Sequence, residues 1–314
     1  MRHDDMPLPT RSASAFVLAG RFLLNAQSET APMAPEISCI RHHGCLPSHE
    51  GEDPAHEAAW ARAGRWLAGW GLGMGAAYAV VFSLTWRFLG EYQGVRWLPI
   101  VAVLTLDLAW LGRRLMSGAV GVCVYSRTLC EPGISRSPDT TAPLVVVLIA
   151  LAKFALLASL PVGTWQTPPT TAWEWPQFVS RLSFLCPPPI YRPLILMPFW
   201  GRWAMTLAAS IGRPAPEASA RLHRIASARL LPAVLGQWLA GAVLTVIYCT
   251  GASEHLARGM VLVLGILLAT YLASFILARR CNGQTEDTVA CAGLVAELAF
   301  LILYVFAANV IYWY

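Results

Sequence analysis

Residues 279–306 read RRCNGQTEDTVACAGLVAELAFLILYVF. A short polar turn carrying Glu286 and Asp287 lies between two long apolar runs, and Glu297 is set well inside the second of them. A run of about 20 apolar residues crosses a hydrocarbon layer of roughly 30 Å as a helix. Only a helix or a closed barrel satisfies its backbone hydrogen bonds there. The stretch therefore reads as two membrane helices joined by a polar loop, with one carboxylate at membrane depth.

Composition extends that reading to the whole chain. Of 314 residues 56% are hydrophobic and only 13% charged, with 13 Trp, which exceeds what a soluble core of this length requires. The sequence predicts an all-α, polytopic membrane bundle of about seven helices, near 66–89, 97–112, 142–161, 190–211, 230–249, 259–278 and 289–312. Arginine gathers in alternate loops: Arg62 and Arg65; Arg113, Arg114, Arg127 and Arg136; Arg213, Arg221, Arg224 and Arg229; Arg279 and Arg280. Arginine excess in short loops marks the cytoplasmic side. The N-terminus is thus expected in the cytoplasm and Tyr314 outside, in a bacterial plasma (inner) membrane. Trp97, Trp165, Trp173, Trp175 and Trp313 then fall on the outer interface.

Residues 1–60 form a separate polar segment, read as a cytoplasmic tail ahead of a transmembrane domain over 61–314. Within it SASAFVLAGRFLLNA (12–26) is too short to span and suits a helix lying on the bilayer or the bundle. No cleavable secretory signal is expected. CIRHHGC (39–45) contains metal-ligand residue types without a usual zinc spacing, and the remaining cysteines have no paired spacing. No phosphate-binding Gly loop, dinucleotide fingerprint, zinc-protease helix or nucleophile elbow occurs. The net charge of +5 follows from membrane topology, so nucleic acid is not expected as a partner, whereas the lipid bilayer is.

Ionisable groups inside the spans are costly and are usually paired or functional. At membrane depth, away from the span ends, these are Asp107, Lys153 (the only lysine of the chain), Arg202 and Glu297. Two acids and two bases at similar depth suggest a buried charge network, with Glu297 within reach of Lys153 or Arg202. At the membrane surface, Glu286 and Asp287 suit the positive end of a helix dipole. A second reading of the same turn has them hold a divalent cation while Gly283 lets the backbone approach a phosphate.

RRCNGQTEDTVACAGLVAELAFLI resembles the C-terminal signature of the adenosylcobinamide-GDP ribazoletransferases (cobalamin synthases), approximately R-x-L-G-G-x-T-G-D-x-x-G-A-x-x-E-L-x-E. Gly283, Thr285, Asp287 and Glu297 fall on signature positions. RTLCEPGISRSPDTTAPLVVVLIALAKFALL (127–157) is similar to the family's R-x-L-x-I-M-K-D-S-R-x-G segment and following helix, matching Arg136 and Lys153. PFWGRWAMTLAAS is similar to a family helix with an S-R pair, matching Arg202, and RAGRWLAGWGLGMGAA to its first glycine-rich span. FVLAGRFLLN sits where the family has an N-terminal helix ending in F-L-T-R-x-P.

The chain departs from the family where its acids cluster. Against H-L-D-G-L-A-D-x-x-D-G it has LTLDLAWLGRRLMSG, which keeps Asp107 but has Thr105 for the His and Trp110 near the second Asp. Ile134 replaces the Asp before S-R, Glu286 replaces the Gly of T-G-D, and Leu24 and Asn25 stand for T-R. The resemblance implies transfer of a cobinamide-linked phosphoryl group from adenosylcobinamide-GDP to α-ribazole or its 5′-phosphate, with GMP leaving. It implies Mg²⁺ on Asp107 and Asp287, Glu286 as a replacement ligand in the catalytic set, and Arg136 and Arg202 as phosphate clamps beside Gly283 and Thr285. Loss of most acids also leaves open a catalytically inactive relative, acting as a membrane assembly or corrinoid-binding subunit. A transporter using Lys153, Arg202 and Glu297 as a buried relay is the third reading, and a homo-oligomer is compatible with all three.

Overall fold

The computed structural model describes residues 62–90, 97–130, 138–160, 190–216, 218–227, 230–249 and 256–310. The helices are α1 Leu67–Thr85, α2 Trp97–Cys130, α3 Pro138–Ala158, α4 Tyr191–Ile211, α5 Ala220–Ser227, α6 Leu231–Cys249, α7 Leu256–Arg280 and α8 Glu286–Val310. A one-turn 3₁₀ segment, Gly64–Trp66, precedes α1, and a π turn, Trp86–Gly90, follows it. Among the described residues there is no strand. The protein is a polytopic helical membrane bundle. Among the described residues five helical stretches are long and apolar enough to cross a membrane: Gly64–Phe88, Tyr191–Ile211, Leu231–Tyr248, Gly259–Arg280 and Glu286–Ala308. Trp97–Trp110 and Ala142–Ala158 are shorter apolar stretches within α2 and α3.

α4 is the central helix. Of its apolar stretch 83% is buried inside the protein, against 28% for α6, because α1, α6, α7 and α8 all pack on it. Residues 193, 194 and 196–209 are buried, so α4 is covered around its circumference, as expected of a core helix. Its tryptophans keep their polar ends satisfied against α6: Trp200 Nε1 donates to Thr245 Oγ1 at 3.0 Å, and Trp203 Nε1 to the Val234 carbonyl at 3.0 Å. α1 lies close on α4 because Gly71 and Gly75 face the backbone of Phe199 and Ile195, where a Cβ would sit within 2.7 Å of main-chain atoms. Small residues four apart permit this kind of helix contact in membranes. The lipid side is apolar in turn. Leu144, Val147, Leu148 and Leu151 form an exposed stripe on α3, and Leu235, Leu239 and Val243 one on α6.

Two features differ from the sequence reading. α2 continues to Cys130, well past residue 112 where the span was expected to end. The reason is packing: Gly118 and Ala119 are buried, and a Cβ on Gly118 would meet Leu294 and the Ala290 backbone of α8. The other is α5, a short helix after α4 that the sequence did not announce. The expected helix at 12–26, the CIRHHGC segment and the tail as a whole lie outside the described residues.

Candidate functional site

Five helices meet at one buried charge cluster. Lys153 Nζ of α3 lies 2.8 Å from Asp107 Oδ2 of α2 and 2.6 Å from Glu297 Oε2 of α8. Arg202 Nη1 of α4 is 3.4 Å from Glu297 Oε1 and donates to Met205 Sδ at 3.6 Å. Tyr78 of α1 donates its hydroxyl to Asp107 Oδ1. Two carboxylates face two cations, so the group is charge-balanced, which is the arrangement that makes ionised side chains tolerable at low dielectric. Asp107, Lys153, Arg202 and Glu297 are each 3% exposed or less. Gly201 makes the room: a Cβ there would overlap the Glu297 carboxylate. Nε and Nη2 of Arg202 are buried with no acceptor among the described residues.

The polar turn that joins α7 to α8 is a second, separate place. Asn282 adopts a left-handed conformation (φ 51°), and the Gly283 N–H donates to the Ala278 carbonyl at 2.9 Å. That is the Schellman ending of a helix, with Asn at the position usually held by Gly. Gly283 itself has φ 139°, and a Cβ on it would sit 2.7 Å from the Ala215 nitrogen. Gln284 then pairs with the segment after α4. Its N–H donates to the Arg213 carbonyl and its carbonyl accepts from the Ala215 N–H, both at 2.9 Å, forming a small parallel bridge. Thr285 caps α8 reciprocally with Thr288. The Thr285 N–H donates to Thr288 Oγ1 at 2.8 Å, and the Thr288 N–H to Thr285 Oγ1 at 3.2 Å. Glu286 and Asp287 follow in the first turn, where the helix dipole favours carboxylates. Ser219 donates its hydroxyl to Glu286. Asp287 lies near Cys281, whose thiol is pushed above its ordinary value by partial burial and then by this carboxylate.

These positions change the roles that the sequence suggested. Gly283 brings the backbone against Arg213 and Ala215 rather than against a ligand. The amides of Gly283, Gln284 and Thr285 are all engaged within the protein, so they offer no phosphate cradle. Asp107 and Asp287 are not brought together. Asp107 shares Lys153 with Glu297, and Glu297 lies ten residues beyond Asp287 along α8, about 15 Å of helical rise. Mg²⁺ ligands sit about 2.1 Å from the ion, so one ion does not take both carboxylates. Glu286 and Asp287 are adjacent in sequence and do not share a helix face. Among the described residues no three His, Cys, Asp or Glu side chains form a metal-holding group. Arg202 belongs to the buried cluster. Arg136 lies outside the described residues. Tyr78 and Ser219 are the partners that sequence reasoning missed, because a Tyr in an apolar span and a Ser in a loop carry no mark of what they touch.

The cobalamin-5-phosphate synthase family model matches residues 140–306, just over half of the chain. The chain belongs to that family. No curated protein and no solved structure matches it. Membership gives the protein a role in cobalamin biosynthesis at a membrane and implies corrinoid substrates. The matched span contains Lys153, Arg202, the α7–α8 turn and Glu297, and leaves Asp107 and Arg136 before its start.

Proposed function

We propose that this protein transfers the cobinamide-linked phosphoryl group of adenosylcobinamide-GDP to α-ribazole or its 5′-phosphate, at the arginine-rich end of the bundle. The observation that carries this reading is the fixed α7–α8 turn. A Schellman ending, a backbone bridge and a reciprocal cap hold Glu286 and Asp287 in place within the family-matched region. Preorganised charge at a defined position is what phosphoryl transfer asks of a protein. In the step, the ribazole oxygen bonds to phosphorus, the phosphoanhydride bond breaks, and GMP leaves with the bridging oxygen. Asp287 orients the attacking hydroxyl and receives its proton. Glu286, held by Ser219, keeps the first turn of α8 in register. Mg²⁺ carried by the substrate would supply charge neutralisation on its pyrophosphate. The bundle is assigned to the bacterial inner membrane with its N-terminus in the cytoplasm.

A second reading, an inactive relative serving as a corrinoid-binding or assembly subunit, draws on a separate observation. Asp107, the one acid kept from the family's second-span cluster, is neutralised by Lys153 and bonded by Tyr78. Complementation separates the two. In a bacterium lacking its own cobalamin synthase, with growth made cobalamin-dependent, the intact protein should restore growth and Asp287→Asn should not, although it inserts normally. Absence of growth with verified insertion of the intact protein favours the inactive relative. Growth that persists with Asp287→Asn removes the carboxylate from the chemistry.

A further inference from the structure

α5 lies between the last residue of α4, Ile211, and the first of α6, Leu231, and its sequence ARLHRIAS divides cleanly by face. Leu222 and Ile225 are buried. Ile225 rests on the 3₁₀ segment that precedes α1, where a Cβ on Gly64 would be 3.0 Å from Ile225 Cγ2. Away from that contact the helix presents Arg221, His223 and Arg224, the histidine exposed and both arginines partly so.

The level of α5 relative to the bilayer can be read from its neighbours. Leu231 and Leu235, both more than half exposed, begin the lipid-facing stripe of α6. In the 3₁₀ segment before α1 the exposed pair Arg65 and Trp66 stands at the same end, tied to α6 by Gln237 Nε2 donating to the Arg65 carbonyl at 2.7 Å. Arg beside Trp at the end of an apolar helix marks the headgroup layer. A short helix with a buried apolar face and a basic outer face at that level has the form of an interfacial helix.

α5 is also joined to the functional turn. Ser219 caps it, accepting the Leu222 N–H at 3.3 Å, and the same hydroxyl donates to Glu286. The segment just before Ser219 carries the Pro214–Gln284 bridge. Any ligand that fixes α5 therefore acts on two of the contacts that fix Glu286 and Asp287.

We propose that α5, together with Arg65, binds anionic phospholipid headgroups, and that this binding tightens the α7–α8 turn. The commitment to lipid rests on charge and level: the basic face lies where phosphodiester headgroups are concentrated. It does not depend on which reaction the protein catalyses.

The test uses the full chain in nanodiscs of phosphatidylcholine alone and of phosphatidylcholine with phosphatidylglycerol. Native mass spectrometry reads retained lipid, and amide hydrogen exchange reads residues 284–288. Phosphatidylglycerol should be retained preferentially, and exchange in the turn should slow in its presence. Arg221→Gln with Arg224→Gln should cut the preference by about fivefold per arginine. Arg87→Gln, at the opposite end of α1, should leave it unchanged. On the unaltered protein, high salt should erase the preference. Equal retention by the unaltered protein and the double variant, a preference that survives high salt, or exchange in the turn that ignores lipid composition would each overturn the proposal. Displacement of phosphatidylglycerol by free GDP would do so as well, by making the patch a site for soluble nucleotide.

Discussion

Glu297 carries its charge in a helix surrounded by apolar neighbours, and the cost of that charge depends on what faces it. Lys153 stands between it and Asp107, so removing the lysine leaves two carboxylates to be held by Tyr78 and Arg202 alone. Breaking one partner of a buried pair typically costs about 3–5 kcal/mol, because the remaining charge stays desolvated. Lys153→Met and Glu297→Ala should therefore each lower the melting temperature in detergent strongly. Lys153→Met combined with Asp107→Asn leaves a neutral Glu297–Arg202 pair, and should melt above Lys153→Met alone. If the double variant loses the sum of the two single losses, the cluster is not a balanced unit. Asp107→Asn in this protein acts through bundle stability, which separates it from Asp287→Asn, expected to fold and fail in activity. The four charges were legible in sequence because an ionised side chain is conspicuous in an apolar run. Tyr78 was not, since a tyrosine facing a core and a tyrosine bonded to a carboxylate look alike in one dimension.

At the scale of elements, what could be read was set by length and hydropathy, and what could not was set by tertiary cover. The seven apolar runs all became helices, with ends close to those expected for α1, α3, α4, α6 and α7. α2 overran because the Arg113–Arg114 pair resembles a loop in sequence, whereas the helix continues along α8 as far as the buried Gly118 and Ala119. The α7–α8 turn was located correctly but its Gly283 was given a ligand to approach. Its actual neighbour, the segment after α4, is some 70 residues away in sequence and no local pattern announces it. The turn's architecture makes a graded prediction. Thr285→Ala removes one side of the reciprocal cap and should cost about 1 kcal/mol. Its mark should be faster amide exchange at Thr288 and Val289, whose N–H groups bond to Thr285. Gly283→Ala should cost more, because it combines a strained positive φ with a methyl group driven into the Ala215 backbone. Equal melting temperatures for the two variants would mean that the Pro214–Gln284 bridge gives way at no cost and is not what fixes the turn.

For the molecule as a whole, the open quantity is how many times the chain crosses the bilayer, and the charge cluster bears on it. α2 and α3 contain only shorter apolar stretches, Trp97–Trp110 and Ala142–Ala158, yet they carry Asp107 and Lys153 to the same depth as Glu297 in the middle of α8. A helix whose side chain pairs at that depth lies within the bundle, and α2 remains packed on α8 from there to Gly118, about 32 Å of rise from Trp97. That is close to the hydrocarbon thickness, so a crossing by α2 is the expected outcome even though its apolar stretch is short. α3 must then return. Reporters at the chain ends alone do not test this, because omitting α2 and α3 together changes the count by two and leaves both ends on their original sides. A reporter inserted near residue 134, between the two helices, does test it. With seven crossings it reports the cytoplasm, as does one near residue 220, while a fusion after Tyr314 reports the outside, three crossings beyond residue 220. A signal near residue 134 from the outside, with residue 220 still cytoplasmic, would mean that α2 and α3 do not cross, and would leave Lys153 without a route to the centre of the bundle.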